Sequence, residues 1–561
     1  MLAWITEKLT RTDNPATVEA AIRAFLEALP LAKPAIALDD IGERIAGVTE
    51  PALDPAACRR ALKQLDDAAQ ALQGELWMSV FSDGLGTSIF DASWRSLAGY
   101  QRTIFCAYMR CLADLPAPAH LDDTERQDVS LLANRAMAAL ASHKALMRIR
   151  YRDPHPEFWT DANAVFARAL HYGVAQFPVR LYPHVVHLST VEREYVTALL
   201  LEAAPTGNLL PTQTHCLHLL LRHFDVHYCF DDSYSARLPF FIEPAKGKPP
   251  QRWLVGLKPR PGVRFFGFGD AYPHLDALRE AALSSGAPPK WVQQSRIDAD
   301  RFVALIDTLT GHWSENPPQR RSRRDRQVAA ILATHGFSRV YHMVAYSKFA
   351  KEGRQLNYAE TTIHDLVMFK ALKSAPAGAL NQPADRPSTP MEVLNRFEQG
   401  GEAETIERWS VIDTSDGGLG ATAERHSGWL RAGMLVGYRY HDSIDWRIAT
   451  VRRLRRTTQG KLGVGLRCLA ETVGCARLRL ANAQETAVWT SAGADNDAYA
   501  DAILVGGAEP MLLGARGTYA PGRVCDMAIE KCTQTIRFVQ LIECGVDFEC
   551  ISFSFAHAAA N

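Results

Sequence analysis

The sequence lacks three features that would assign a protein to a broad class at once. It has no apolar run as long as a membrane span, and its start has no export pattern. It has no net charge, because 62 lysines and arginines balance 62 aspartates and glutamates, so no global field attracts nucleic acid. Its 11 cysteines form no CxxC pair, which favours reduced thiols over disulfides. We therefore expect a cytoplasmic protein with no membrane span and no nucleic-acid partner.

The length of the chain and its changes of periodicity predict several domains. With 561 residues, 47% of them hydrophobic, the chain can form two to four cores. The fold class we predict is multidomain α+β. The predicted parts are an α-helical domain (1–235), a small β-sheet with helices that continues it (236–315), a β-barrel with a helical insertion at about 346–405 (316–482), and a C-terminal β extension (483–561).

Some local patterns give more specific expectations. Residues 327–345 have the composition of two strands, QVAAILA and SRVYHMVA, around a central glycine. In the insertion, Tyr358–Lys373 and Pro390–Gln399 are predicted helices. The C-terminal extension contains short β runs, which form either a second small β unit or extra strands that complete the first.

The segment WSVIDTSDGGLG, residues 409–420, is the strongest candidate for a binding site. A short apolar run leads into Asp, Ser and Gly, which is also the composition of an ordinary tight turn. However, Asp413 and Ser415 are two residues apart on an extended segment, so their side chains project to the same side. Gly418 lets backbone approach a ligand closely. These groups suit a flat heterocycle with N–H donors, such as guanine.

The segment QRRSRRDR, residues 319–326, supplies positive charge that the strand lacks. Guanidinium groups bind phosphate in a bidentate manner and stack on base planes. A solvated basic linker is the alternative interpretation of such a run. Nucleic-acid binding is disfavoured because no aromatic residues alternate with the arginines.

Together the two segments resemble the two-part signature of the PilZ family, bacterial receptor modules for cyclic di-GMP. That signature is RxxxR near the start of a small β-barrel, followed by [D/N]xSxxG on a later strand; Arg320 and Arg324 match the first part. The strands WLRAGMLVGYRY, WRIATVRRLRR and GKLGVGLRCL also resemble this family. Nearly ninety residues separate the two parts here, whereas the family usually has a few tens. The resemblance implies the ligand-binding residues Arg320, Arg321, Arg324, Asp413, Ser415, Gly417 and Gly418.

The resemblance implies a cyclic di-GMP receptor that signals through its helical region to a protein partner, with no cofactor and no catalytic residue. One alternative is a protein-interaction scaffold whose barrel has lost the ligand. Another is a metal-dependent enzyme that uses the histidines, cysteines and aspartates of residues 215–232. In that segment His223 and His227 would lie one helical turn apart. No paired carboxylates or activated nucleophile at recognisable spacing support catalysis, so we predict no metal site.

Overall fold

The computed structural model confirms the multidomain α+β class. It describes residues 15–48, 54–80, 88–118, 121–254, 260–318, 323–351, 406–423, 430–456, 460–470, 472–480, 500–506, 511–529 and 532–556. The chain divides into two compact units, residues 1–319 and 320–561. The first unit is mainly helical, and the described strands of the second form two closed barrels.

Ten helices of the described residues form most of the first unit. They are α1 (Pro15–Glu27), α2 (Pro34–Val48), α3 (Pro55–Val80), α4 (Ser88–Ala113), α5 (Asp123–Ile149), α6 (Phe158–His171), α7 (Val191–Ala203), α8 (Pro211–His223), α9 (Tyr272–Ser285) and α10 (Ala299–Trp313). The helix α5 is buried on most of its sides and begins with a capping box between Asp122 and Glu125. One hydrophobic core joins these helices to strands of a small sheet.

The small sheet has four antiparallel strands, β1 (Cys229–Asp231), β2 (Phe240–Ile242), β3 (Gln251–Arg252) and β4 (Arg264–Gly267), in the order β1-β4-β2-β3. Phe240 and Phe266 lie opposite each other and enter the helical core. The sequence predicts a small sheet in this region. It does not reveal β1, because CFD is too short to show a period.

The first barrel of the second unit is antiparallel and closed. Its strands are β5 (Asp325–His335), β6 (Glu407–Ser415), β7 (Gly418–Ala423), β8 (Leu435–Tyr440), β9 (Arg447–Arg456) and β10 (Leu462–Ala470). Around the barrel the order is β5-β6-β7-β10-β9-β8. Trp409 and Val411 are buried, whereas the intervening Arg408, Ser410 and Ile412 are exposed, so β6 has one face toward the core and one toward the outer surface.

The C-terminal strands form a second closed barrel. They are β11 (Val473–Leu480), β12 (Ala500–Val505), β13 (Met511–Ala515), β14 (Val524–Ile529), β15 (Cys532–Cys544) and β16 (Phe548–Phe555), in the order β11-β12-β13-β16-β15-β14. In both barrels the first strand lies between the second and fourth, and the third lies between the second and sixth. The two barrels therefore share one topology, and the extra strands are a separate β unit.

A helix, α11 (Phe337–Lys351), packs with both barrels, and the prediction of a strand for SRVYHMVA is wrong. Its buried residues Phe337, Val340, Tyr341 and Val344 follow the spacing i, i+3, i+4, i+7 of a helix. They contact Trp446 and Ile448 of the first barrel and Phe548 and Cys550 of the second in one cluster. The helices predicted at 358–373 and 390–399 lie outside the described residues, as does most of the insertion.

Candidate ligand site on the first barrel

A β-bulge in β6 places Asp413 on the outer surface of the first barrel. Trp409 and Val411 point into the barrel, and Asp413 would follow them by simple alternation. The pairing with β7 instead runs from Val411↔Ala421 to Asp413↔Gly420, so Ile412 is an extra residue. An extra residue reverses the alternation beyond it. The carboxylate therefore leaves the core, and its side chain is 26% exposed.

Asp413 is bound to an arginine of the segment that precedes the barrel. Arg324 Nη1 donates a hydrogen bond to Asp413 Oδ1 at 2.7 Å. The pair lies directly over Gly420, because a Cβ atom there would be 2.5 Å from Asp413 Oδ1 and 3.2 Å from Arg324 Nη1. Gly420 thus provides the space in which the two motif residues meet.

The serine and the glycine of the motif close the β6–β7 hairpin. Ser415 and Gly418 are paired across the two-residue turn Asp416-Gly417, and Ser415 Oγ donates to the Gly418 carbonyl at 3.2 Å. A Cβ atom at Gly418 would be 2.0 Å from the Leu466 carbonyl oxygen. A glycine is therefore required at position 418 because β7 approaches β10 closely, and not only because a ligand would need space there. The Ser415 oxygen keeps its acceptor capacity.

Two glycines on neighbouring strands form a shelf beside Asp413, and Gly420, which lies beneath the Arg324–Asp413 pair, is buried. The register runs Arg326↔Asp413 across β5 and β6, Asp413↔Gly420 across β6 and β7, Gly420↔Gly465 across β7 and β10, and Gly465↔Arg453 across β10 and β9. Directly opposite residues of neighbouring strands share a face. The shelf is thus bordered by Asp413 and an arginine on one side and by another arginine on the other.

Exposed apolar side chains lie next to these polar groups. Val328 is fully exposed and Ile412 is 51% exposed. Both belong to an irregular stretch of the pairing between β5 and β6. Arg326 pairs with Asp413 and Ala329 pairs with Val411, so two residues of β5 lie opposite one residue of β6. A planar ring can pack on aliphatic groups there while its edge reaches a carboxylate. The sequence does not reveal this feature, because bulges cannot be located from composition.

The structure describes five of the seven predicted site residues and leaves the other two outside its description. Arg324 and Asp413 are in contact, and Ser415 and Gly418 close the adjacent hairpin, with Gly417 in the turn. Arg320 and Arg321 lie outside the described residues and stay predictions. The sequence does not predict Gly420, Gly465 or Arg453 as site residues, although the segments GLG, GVG and VRR are visible in it.

The histidine-rich segment of the helical unit does not form a metal centre among the described residues, where no suitable group of three or more His, Cys, Asp or Glu side chains occurs. Helix α8 ends at His223, so His227 lies in a separate turn. His223 stacks on Trp291 with centroids 4.1 Å apart. Burial lowers the pKa of His215 to about 3, so this side chain is neutral at pH 7.

A cleft of about 400 Å³ in the helical unit is lined by Arg135 and Tyr182, among others. Arg135 donates to the Leu181 carbonyl and to Asp67, and its guanidinium carbon lies 4.4 Å from the Tyr182 ring centroid. Lys63, also in the lining, pairs with Asp128 at 3.0 Å. Arg135 and Lys63 are thus each paired with a carboxylate, as Arg324 is on the first barrel.

The chain thus forms a helical unit followed by two barrels, and the first barrel carries an arginine paired with a carboxylate on its outer surface. A comparison with protein families finds that the model for "Cyclic-di-GMP receptor FimW, N-terminal domain" matches residues 20–230. The helical unit is therefore similar to that domain from within α1 to within β1. A comparison with curated proteins finds no match. None of the described helices has the length and apolar content needed to cross a bilayer.

Proposed function

We propose that the chain is a cytoplasmic bacterial receptor for cyclic di-GMP, not an enzyme, and that the first barrel is a PilZ-type binding module. The observation that carries the proposal is the convergence of Arg324, Asp413 and Gly420 on the outer surface of that barrel. The family match of residues 20–230 supports the ligand class independently, because it lies in the other unit.

In this proposal, the residues of β6 at the edge of the site recognise guanine. The N1–H and N2–H donors of the base face Asp413 and the acceptor lone pairs of Ser415. The base plane rests on Val328 and Ile412, which are exposed beside them. Each hydrogen bond to a charged group contributes about 1.5–3 kcal/mol.

In this proposal, the arginines before and within β5 bind phosphate. Arg324 is held by Asp413 in the structure, and Arg320 and Arg321 are proposed to bind phosphate as well. Guanidinium groups form charge-assisted bidentate bonds with phosphate, and these are about twice as strong as neutral hydrogen bonds. No cofactor beyond the dinucleotide is proposed.

Output is proposed to pass through the helical unit to a protein partner. The loop between α6 and α7 exposes Phe177 (41%), Val186 (88%) and Leu188 (46%). Several exposed apolar side chains in one loop are compatible with an interaction surface. Replacing Val186 with Glu is expected to reduce partner capture without changing ligand affinity.

The test is calorimetric titration of the full chain with cyclic di-GMP, with GTP and GMP as controls. We expect selective micromolar or tighter binding, and a loss of at least about tenfold in Asp413→Asn. Asp526→Asn is the matched control, since Asp526 is 23% exposed and pairs with Arg479 on the second barrel, much as Asp413 pairs with Arg324.

Three outcomes have distinct meanings. Binding that is lost in Asp413→Asn and kept in Asp526→Asn supports the receptor and its site. Binding that survives in both variants places the ligand elsewhere in the chain. Absence of heat with every nucleotide rejects the receptor and favours the scaffold, in which the barrel serves protein interaction only.

A further inference from the structure

One carboxylate of the second barrel binds two arginines of the first barrel beside the ligand site. Arg467 Nη2 donates to Glu543 Oε2, and Arg452 Nη2 lies 3.2 Å from Glu543 Oε1. Each carboxylate oxygen thus has its own guanidinium partner. Glu543 is 18% exposed, whereas the arginines are 41% and 48% exposed, so the carboxylate is the more enclosed partner.

The arginine pair is continuous with the motif of the first barrel. Ser415 is paired with Gly418 across β6 and β7, and Gly418 is paired with Arg467 across β7 and β10. These residues form a row across three strands and share a face. Two strand spacings are about 10 Å, which lies within the span of a cyclic dinucleotide bound at Ser415.

Two β-bulges bring the three side chains together. In β9, Val451 is paired with Leu466 and Arg453 with Gly465, so Arg452 is the extra residue. In β15 a second irregularity lies between Leu541 and Glu543. Bulges change the direction in which side chains point and are frequent at functional sites.

We propose that Arg452 and Arg467 form a second phosphate subsite and that Glu543 occupies it in the absence of ligand. This inference rests on the proposed function. Two guanidinium groups converging on one anionic group is the geometry with which proteins bind a phosphodiester. When the dinucleotide binds, its phosphate replaces the carboxylate, and Glu543 turns away from the first barrel.

The exchange involves a side chain and not the whole interface. Three and four residues beyond Glu543, the chain is anchored to the first barrel: Val546 N donates to the Gly433 carbonyl at 2.9 Å, and Asp547 Oδ1 accepts from Leu435 N at 2.9 Å. Glu543 of the second barrel thus competes with the phosphate of the ligand, and the position of its side chain at the end of β15 changes when the ligand binds. In this way the second barrel regulates the affinity of the first barrel for the ligand.

The test is titration of full-length variants with cyclic di-GMP. Glu543→Gln removes the competing charge, so we expect its affinity to rise about three- to tenfold. Arg467→Gln removes a phosphate contact, so we expect its affinity to fall about tenfold. Asp526→Asn is the control, because Asp526 is paired opposite Thr535, eight residues along β15 from Glu543, about 26 Å away. Melting temperatures establish that each variant is folded.

The outcomes separate this inference from the receptor assignment. If the parent binds but Glu543→Gln and Arg467→Gln bind equally well, the subsite is rejected and the receptor stands. If Glu543→Gln binds more weakly, Glu543 positions Arg467 instead of competing with the ligand, and the competition is rejected. If Glu543→Gln does not fold, Arg452→Gln replaces it, and unchanged affinity there also rejects the subsite. A parent that does not bind rejects both proposals.

Discussion

Arg324 and Asp413 are 89 residues apart in the sequence and form an ion pair of 2.7 Å on the outer surface of the first barrel. The pair links the segment before β5 to the strand that carries the DxSxxG pattern. The two charges thus neutralise each other. Because this hydrogen bond joins one carboxylate oxygen to one guanidinium nitrogen, the proposed ligand can bind to the remaining atoms of the pair or replace one partner.

Arg324→Gln is expected to affect binding much more than folding. Both side chains are partly exposed, at 37% and 26%, and exposed ion pairs contribute about 0–1 kcal/mol to stability. A lost phosphate contact lowers affinity about tenfold or more. Thermal melting and calorimetry on the same preparation measure both quantities. A large drop in melting temperature would show that the pair is mainly structural.

Gly420→Ala tests whether the space above β7 is needed by the site. The new methyl group would meet Asp413 Oδ1 at 2.5 Å and must displace the carboxylate. We expect about tenfold weaker ligand binding with little loss of stability, because the displaced atoms are the ends of flexible side chains.

Gly463→Ala is the matched control for that change. Gly463 lies on β10 and would place its methyl group 3.5 Å from the Arg455 carbonyl oxygen, which is an ordinary contact. Equal loss of affinity in both variants would mean that any bulk on this surface interferes, and would remove the special role of Gly420.

Phe548→Ala is expected to destabilise both barrels together. Phe548 is fully buried in the cluster that α11 forms with Trp446 of the first barrel and Leu513 of the second. Loss of a buried phenyl ring costs about 3–5 kcal/mol. Hydrogen exchange should therefore accelerate in β9 as well as in β16. Acceleration confined to β16 would show that the barrels unfold independently.

The fold was predictable where periodicity is long and regular. Helices α3 to α7 and most strands of the first barrel follow from the spacing of apolar residues. The strand predicted at SRVYHMVA fails because a short run of Val, Tyr and Met satisfies both periods, and only packing against two barrels selects the helix. The identical topology of the barrels was not predictable, since strand order depends on long-range pairing.

Only the motif residues of the candidate site were predictable from the sequence. Asp413 and Ser415 were found from their spacing, but alternation alone would have placed Asp413 inside the barrel. The bulge at Ile412 reverses this, and it is set by pairing with β5 and β7. Glu543 could not be found either, because it comes from another barrel.

Asp225 of the helical unit is expected to make stability depend on pH. Burial, and then the nearby charge of Glu194, raise the pKa of Asp225 from 3.8 to about 6. The folded state therefore keeps a proton that the unfolded state has lost between about pH 4 and 6. Stability is highest below this window, falls as pH rises through it, and stays lower above pH 6. The difference corresponds to about 3 kcal/mol.

Asp225→Asn tests this assignment, because an amide cannot ionise. At pH 7.5 the variant should melt at a higher temperature than the parent, and the advantage should vanish near pH 4. The helical circular dichroism signal follows the unit in which Asp225 is 5% exposed. Because Ser189 Oγ lies 3.5 Å from Asp225 and 3.0 Å from Glu194, Ser189→Ala serves as a control that keeps both carboxylates. If Asp225→Asn retains the pH dependence of the parent, another group titrates and Asp225 stays charged in the folded state.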